Sequence, residues 1–399
     1  MSAQRFKWHP DARAFFTDLA FIPEKRTAQA SIAAQPVSLA LQGLADTLGS
    51  DTGFCLSDFA NLDLSTLSSS QFATLTGGTS GQPKVIARTQ ESWIKSFHAN
   101  AKLFKYSAKD SIAVLGSLSH SLALYGVLEG LHLGHDVHAL SELSALQQSE
   151  HLLRHHCSIL YATPTQLRLL PSSARLPDIR LILCGGGTLS DAVRHHVNTI
   201  CPDADLLVFY GAAESSFITL SDHTTPFGSV GRAYPDVEIE IRDPQPDGTG
   251  TIWVRSPYLF DGYLRGNSPT TMENGGWITV GERGVLDENG NLFLRGRVSR
   301  MVKIADQSVF PDELETQFAN IAGMPTCAVI PRPDVLRGHH LIAVMEGAEN
   351  TALRDRLFDY CKAENLIVPR QVVFLASLPL LPSGKPDLPQ IETLIGALE

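Results

Sequence analysis

The chain has 399 residues, 43% of them hydrophobic, enough for two or three domains with ordinary apolar cores. Its 32 Lys and Arg stand against 42 Asp and Glu, a net charge of −10, and no basic run is dense enough to follow a phosphate backbone, so nucleic acid is not an expected partner. The opening Met1-Ser2-Ala3-Gln4-Arg5-Phe6-Lys7-Trp8 lacks an apolar leader and no stretch of 18 uncharged apolar residues occurs, which leads us to expect a cytoplasmic protein without a membrane span.

In chain order, the first pronounced feature is the glycine- and hydroxyl-rich segment 74–84, treated below. Short apolar runs then alternate with helical patterns: Ile112-Ala113-Val114-Leu115, an amphipathic stretch over 143–155, Ile159-Leu160-Tyr161, Leu181-Ile182-Leu183-Cys184, a second amphipathic stretch over 189–199, and Leu206-Leu207-Val208-Phe209-Tyr210. That alternation predicts a layered α/β domain. From Val237 the texture becomes β-type, with Val237-Glu238-Ile239-Glu240-Ile241, Thr251-Ile252-Trp253-Val254-Arg255 and a hairpin signal at Asp287-Glu288-Asn289-Gly290. After Arg297 a smaller unit follows, with a strand near Met301-Val302-Lys303-Ile304, a helix over 311–319 and a strand at Cys327-Ala328-Val329-Ile330. The expected fold is α/β: a large layered α/β N-terminal domain with a β-rich subdomain, residues 1–298, and a small α+β C-terminal domain, residues 299–399. The six cysteines (Cys55, Cys157, Cys184, Cys201, Cys327, Cys361) show neither a CxxC pair nor a Cys/His cluster, which argues against a disulfide framework or structural zinc.

Thr74-Leu75-Thr76-Gly77-Gly78-Thr79-Ser80-Gly81-Gln82-Pro83-Lys84 puts three glycines, four hydroxyls and a lysine into eleven residues. Glycine lets the main chain approach a ligand closely and adopt positive φ, so such a loop can turn N–H groups and hydroxyls onto polyphosphate oxygens. It is not the GxxxxGK[ST] loop, because Pro83 precedes Lys84, nor a GxSxG nucleophile elbow, because Gln82 follows Gly81. The alternative is a surface turn between a strand and the helix-like run after Thr89.

The string Thr76-Gly77-Gly78-Thr79-Ser80-Gly81-Gln82-Pro83-Lys84 resembles the signature of the adenylate-forming superfamily of acyl-CoA synthetases, aryl acid ligases and peptide-synthetase adenylation domains, and five further matches follow in the family's order through Asp387. The resemblance implies roles position by position. Thr76, Gly77, Gly78, Thr79, Ser80, Gly81 and Lys84 would cradle the phosphates of ATP. Gly185, Gly186 and Gly187 would border adenine and the acyl group. In Phe209-Tyr210-Gly211-Ala212-Ala213-Glu214, Tyr210 would lie against adenine, with Gly211 and Ala213 beside the nucleotide, while Glu214 helps hold Mg²⁺ between phosphates. Glu282 stands where the family has an aspartate accepting from the ribose hydroxyls, and Arg297 matches an arginine that reaches ribose or phosphate. His120, in Ser117-Leu118-Ser119-His120, falls where the family has a histidine or aromatic beside the acyl carboxylate. Leu378-Pro379-Leu380-Leu381-Pro382-Ser383-Gly384-Lys385 resembles the C-terminal catalytic loop, making Lys385 the foremost catalytic residue, with Glu214 and His120 beside it.

The same resemblance implies a two-step ligase using ATP and Mg²⁺ to convert a small carboxylic acid, aryl or fatty acyl, into acyl-AMP, then transferring it to CoA or to the phosphopantetheine of a carrier protein. A mobile C-terminal domain would bring Lys385 in for the first step and the segment 300–315 for the second, and a homodimer is an open option. Besides Glu282, three positions depart from the family: Ala213 replaces a threonine or serine, Ser299 a hinge aspartate or lysine, and Asp306 a glycine. The phosphate loop also starts earlier than in family members, so part of the usual N-terminal region is expected to be absent or reduced. These departures motivate the alternative of a homologue that binds an adenylate or acyl group without thioester formation.

Overall fold

A computed structural model describes residues 4–23, 27–59, 62–76, 84–305, 307–319, 321–381 and 385–397. The central apolar runs form strands Ser111–Val114, Ile159–Ala162 and Leu181–Cys184, each buried along its whole length. They pair in parallel with one another and with Asp136–Ala139 and Asp205–Ala212. A parallel strand in mid-sheet is covered on both faces, which is why these segments read as unbroken apolar runs. Successive side chains still go to opposite sides. Ile112, Val114, Ile159, Tyr161, Leu181 and Leu183 join one core with helices Gln90–Leu103 and Ser121–Leu133. Ala113, Leu160, Ala162, Ile182 and Cys184 join another with helices Ala145–Arg154 and Asp191–Ile200.

Nine strands make up this sheet, in the order Arg232–Ala233, Ser216–Ser221, Asp205–Ala212, Leu181–Cys184, Ile159–Ala162, Ser111–Val114, Asp136–Ala139, Ala14–Phe16 and Leu19–Phe21. The last two form an antiparallel hairpin at the edge that the sequence pattern did not reveal, since three-residue strands are too short to display a period. The helix expected over 143–155 is Ala145–Arg154, started by a capping box in which Ser144 and Gln147 satisfy each other's backbone N–H groups.

The Gly/Ser/Thr segment connects two antiparallel strands, Gln71–Leu75 and Val85–Thr89, and not a strand to a helix; the helix begins after Thr89, which caps it. These strands belong to a five-stranded sheet that also takes Gly262–Arg265 on one side and Phe54–Leu56 and Ser31–Ile32 on the other. The β-type region supplies a six-stranded sheet whose hairpin Glu282–Leu286 and Leu292–Arg297 turns where expected, with Asp287 accepting from the N–H groups of Asn289 and Asn291 and Gly290 at φ 78°. Beyond a single 3-10 turn, Val298–Arg300, strands Cys327–Asp334, Gly338–Glu346 and Gln371–Leu375 form a three-stranded sheet. Its two faces carry separate cores, one with Leu314, Phe318 and Leu357, the other with Leu378, Ile391 and Ile395. All six cysteines are buried and free. Among the described residues no helix is long and apolar enough to cross a membrane.

Candidate active site

The C-terminal end of strand Leu181–Cys184 runs into Gly185-Gly186-Gly187. A Cβ on Gly185 would lie 2.2 Å from the Phe209 ring, so only glycine lets this turn press against the neighbouring strand, and Gly186 takes φ 84°. On that neighbour, Asp205–Ala212, the pairing register shifts between Tyr210 and Gly211 before the chain reverses. Gly211 is forced by contact: a Cβ there would sit 1.9 Å from the Ser216 carbonyl oxygen. The tight reversal projects Ala213 and Glu214 from the strand end.

Arg88, fully buried on strand Val85–Thr89, holds this reversal from below. Its guanidinium donates to the carbonyls of Ala213 (3.0 Å) and Tyr258 (3.2 Å) and to the Ser216 hydroxyl. Burial lowers its affinity for its proton to about 10, opposed by the charges of Glu214 and Asp261. Glu214 is itself buried and accepts from the Tyr263 hydroxyl at 2.8 Å, while the Lys84 ammonium lies 5.6 Å from the same ring. Tyr263 therefore joins the lysine at the end of the phosphate-loop segment to the proposed metal-binding carboxylate.

At the other end of that segment Thr76 donates its N–H to the Lys84 carbonyl (2.9 Å), closing the loop at its base. Gly77, Gly78, Thr79, Ser80 and Gly81 lie outside the described residues, as does Asp306. His120 precedes helix Ser121–Leu133 and forms an isolated bridge with Leu75, which brings it beside Thr76. The Thr76 hydroxyl and His120 Nε2 are buried without a hydrogen-bond partner among the described residues. Burial also lowers the His120 ring's affinity for a proton, which favours the neutral imidazole. Among the described residues, then, two polar atoms at the base of this loop are left for a polar group to satisfy.

A second group assembles from two sheets and the C-terminal elements beyond them. The Tyr210 hydroxyl donates to the Glu282 carboxylate. Glu282 is paired across the hairpin with Arg297, whose guanidinium reaches Asp312 at 2.7 Å from helix Pro311–Ala319. Asp312 also receives Arg300 at 2.7 Å, and Arg300 continues to Glu315 at 2.8 Å. Lys385 comes close enough to feel Arg297, Glu282 and Asp312 together. Burial is the main cause lowering its affinity for a proton, helped by Arg297 and opposed by the two carboxylates. For Glu282 burial raises the carboxyl, and Tyr210, Arg297 and Lys385 pull it back. Tyr210, Glu282 and Arg297, all named from the sequence, are thus linked directly, and the charge of Lys385, 175 positions beyond Tyr210, acts on Glu282. Ser299 is exposed in the 3-10 turn.

A cleft of about 400 Å³ lined by Lys105, Arg180, Asp205 and Asp222 lies at the other, N-terminal ends of the strands that carry Gly185 and Tyr210, and holds none of these residues.

Residues 21–264, more than half the chain, match the family described as AMP-binding enzyme. The chain belongs to that family. Among related AMP-binding proteins, the uncharacterized acyl-CoA ligase YhfT of Bacillus subtilis is 33% identical over 322 residues, covering 78% of this chain and 65% of YhfT. The chain therefore spans a little under two thirds of that relative. Solved structures with the same fold include the o-succinylbenzoate CoA synthetase MenE of Bacillus subtilis in complex with its acyl-adenylate intermediate, with a TM-score of 0.69 and 24% identity over 80% of this chain and 68% of MenE. The amide bond synthetase McbA of Marinactinospora thermotolerans aligns with a TM-score of 0.68 and 24% identity over 92% of this chain and 80% of its own.

Some participants were not picked out in the sequence. Arg88 was signalled only by a charge inside an apolar strand, Asp312 only by its place in the first turn of a helix, and Tyr263 by nothing local. The sequence reading weighed zinc binding only around the six cysteines and did not pick out a group of three histidines, His138, His151 and His155, whose ligand atoms lie within 4.8 Å of one another. The helical spacing of His151 and His155 was the available signal, but His138 comes from a separate strand.

Proposed function

We propose that this protein is an ATP-dependent acid ligase that activates a carboxylic acid, aryl or fatty acyl, as acyl-AMP and passes the acyl group to the thiol of CoA or of a carrier protein. The Tyr210–Glu282 hydrogen bond, the pairing of Glu282 with Arg297 and the charge of Lys385 acting on both support this reading. In the first step a carboxylate oxygen bonds to the α-phosphorus while the bond from that phosphorus to the bridging oxygen breaks and pyrophosphate leaves. In the second a thiolate sulfur bonds to the acyl carbon, and AMP departs as the anhydride C–O bond breaks.

Each residue has a task in that scheme. Lys385, partly desolvated yet flanked by Glu282 and Asp312, delivers a cation where two anions must meet, an electrostatic contribution of several kcal/mol. Glu282 and Arg297 are placed to orient a polar ligand such as ribose. Tyr210 at the strand end offers a ring face. Glu214 and Lys84 flank Tyr263, and a buried carboxylate oxygen beside a loop lysine fits a hard cation on a polyphosphate. Mg²⁺ held there would neutralise phosphate charge. His120 and Thr76 would pair their orphaned atoms with the bound acid and phosphates.

Pyrophosphate exchange into ATP, run across a panel of carboxylic acids, tests the first step. Exchange should depend on one acid class and fall about 100-fold or more in Lys385→Ala. Undiminished exchange in that variant would remove Lys385 from the chemistry.

One observation favours a second reading, adenylate binding without transfer. Ala213 brings no hydroxyl, and the neighbouring hydroxyls are engaged, Ser215 with the Ala212 N–H and Ser216 with Arg88. Offering CoA and a phosphopantetheinylated carrier protein separates the readings: acyl-AMP that accumulates with both acceptors favours the second.

A further inference from the structure

We propose that His138, His151 and His155 form a site for a divalent transition-metal ion of the zinc type, set apart from the nucleotide-side residues. Their candidate ligand atoms all lie within 4.8 Å of one another, and His138 Nδ1 is 2.9 Å from His151 Nε2. Tetrahedral coordination with Zn–N bonds of about 2.0–2.1 Å separates ligand nitrogens by roughly 3.4 Å, so the trio is near the required spacing before any ion arrives.

The framework holds the rings in place. His138 stands on the short strand Asp136–Ala139, and Phe15 from the edge hairpin stacks on it at 5.0 Å with an 11° interplanar angle. His151 lies in the last turn of helix Ala145–Arg154 and His155 is its C-cap, one turn on, with the two rings stacked at 4.1 Å. Asp18 Oδ1, in the turn of the edge hairpin, sits 3.3 Å from His155 Nε2, placing a carboxylate beside the ligand set as metal-binding imidazoles commonly have. The nearby cations are matched: Arg13 pairs with Asp136 at 2.7 Å and Arg154 with Asp18 at 3.7 Å.

Neutral imidazole is the ligating form. Three nitrogen donors select Zn²⁺, Co²⁺, Ni²⁺ or Cu²⁺ over Mg²⁺ and Ca²⁺, which prefer oxygen. The strand bearing His138 is four strand positions from the one bearing Tyr210, about 19 Å at the usual spacing. The ion would act on structure: it ties helix Ala145–Arg154 to the sheet edge and, through Asp18, to the edge hairpin. This inference is independent of the proposed ligase activity.

The test uses full-length protein freed of any polyhistidine tag and stripped with chelator. Titration with Zn²⁺ should show one equivalent bound at micromolar affinity or tighter, Co²⁺ should give visible d–d bands of tetrahedral intensity, and Zn²⁺ should raise the melting temperature by several degrees. His151→Gln and His138→Gln should each weaken that equivalent at least 100-fold. Should either fail to fold, His155→Gln, at the partly exposed helix end, gives the same reading. Absence of a stoichiometric equivalent in the native protein, or its survival at full affinity in a folded variant, would overturn the proposal.

Discussion

Glu129 offers a direct measurement of how this core treats charge. It lies on helix Ser121–Leu133 with no exposure and accepts from Asn100 Nδ2 at 2.8 Å and from the hydroxyls of Tyr106 at 3.1 Å and Tyr161 at 2.6 Å. Those donors favour the ionised form, yet burial dominates and raises the carboxyl from 4.5 to about 7. The folded protein therefore keeps a proton to about pH 7 that the unfolded chain releases near pH 4.5. The associated stability is fully present below pH 4.5 and is lost as the pH rises through 7. At about 1.4 kcal/mol per pH unit the gap amounts to about 3 kcal/mol. Glu129→Gln keeps the shape and removes the titration. Urea unfolding of both proteins from pH 5 to 9 can be followed by fluorescence of Trp93, whose ring centroid is 5.0 Å from that of Tyr125 in this core. Other carboxylates titrate alike in both proteins, so the informative quantity is the difference curve. It should move by about 2.5 kcal/mol in favour of the Gln variant between pH 5 and pH 8, since part of the loss has already occurred by pH 5. A flat difference curve would show that Glu129 is ionised throughout and that this burial argument fails.

Three further perturbations address the site. Gly185→Ala pushes a methyl into the Phe209 ring and should cost about 1–3 kcal/mol while weakening AMP binding, as read by thermal unfolding and calorimetry; unchanged AMP affinity would mean that the turn does not border the nucleotide. Arg88→Met leaves the carbonyls of Ala213 and Tyr258 without their donor and should destabilise by about 2–5 kcal/mol. Arg88→Lys should not restore that loss, because one ammonium lacks the guanidinium's fork; full recovery of melting temperature by lysine would refute the bridging role. Glu282→Gln should retain the fold but bind AMP about tenfold more weakly, since a neutral acceptor replaces a charged one beside Arg297, and equal affinity would exclude Glu282 as a ribose ligand.

What could be read from the sequence follows from how far each signal reaches along the chain. Strands Ile159–Ala162 and Leu181–Cys184 were legible because burial on both faces writes itself into consecutive residues. Helices Ala145–Arg154 and Asp191–Ile200 were legible because one buried face repeats every turn. Gly185 and Gly211 are sites where a close approach, of the Phe209 ring at one and of the Ser216 backbone at the other, leaves no room for a side chain. The partners that organise the site follow a different logic. Arg88 bonds to Tyr258 across 170 positions and Tyr263 to Glu214 across 49, and nothing in the local pattern of either residue anticipates the contact.

The Tyr210 to Glu282 hydrogen bond extends that contrast into function. It links the end of the nine-stranded sheet to the first residue of a hairpin in the six-stranded one, 72 positions later, and Arg297 on the same hairpin extends it to Asp312 and, through Asp312, to Arg300 in the 3-10 turn. A substituted carboxylate could be recognised at Glu282, but its longer side chain acquires meaning only with this geometry. Glutamate reaches the Tyr210 hydroxyl, so the residue proposed to face adenine and the one proposed to hold ribose are held by each other. A polar ligand entering between them exchanges a buried bond for new ones, which keeps the carboxylate's desolvation from going uncompensated in either state. The same chain of charges extends its influence to Lys385, whose own charge lowers the Glu282 carboxyl against the effect of burial.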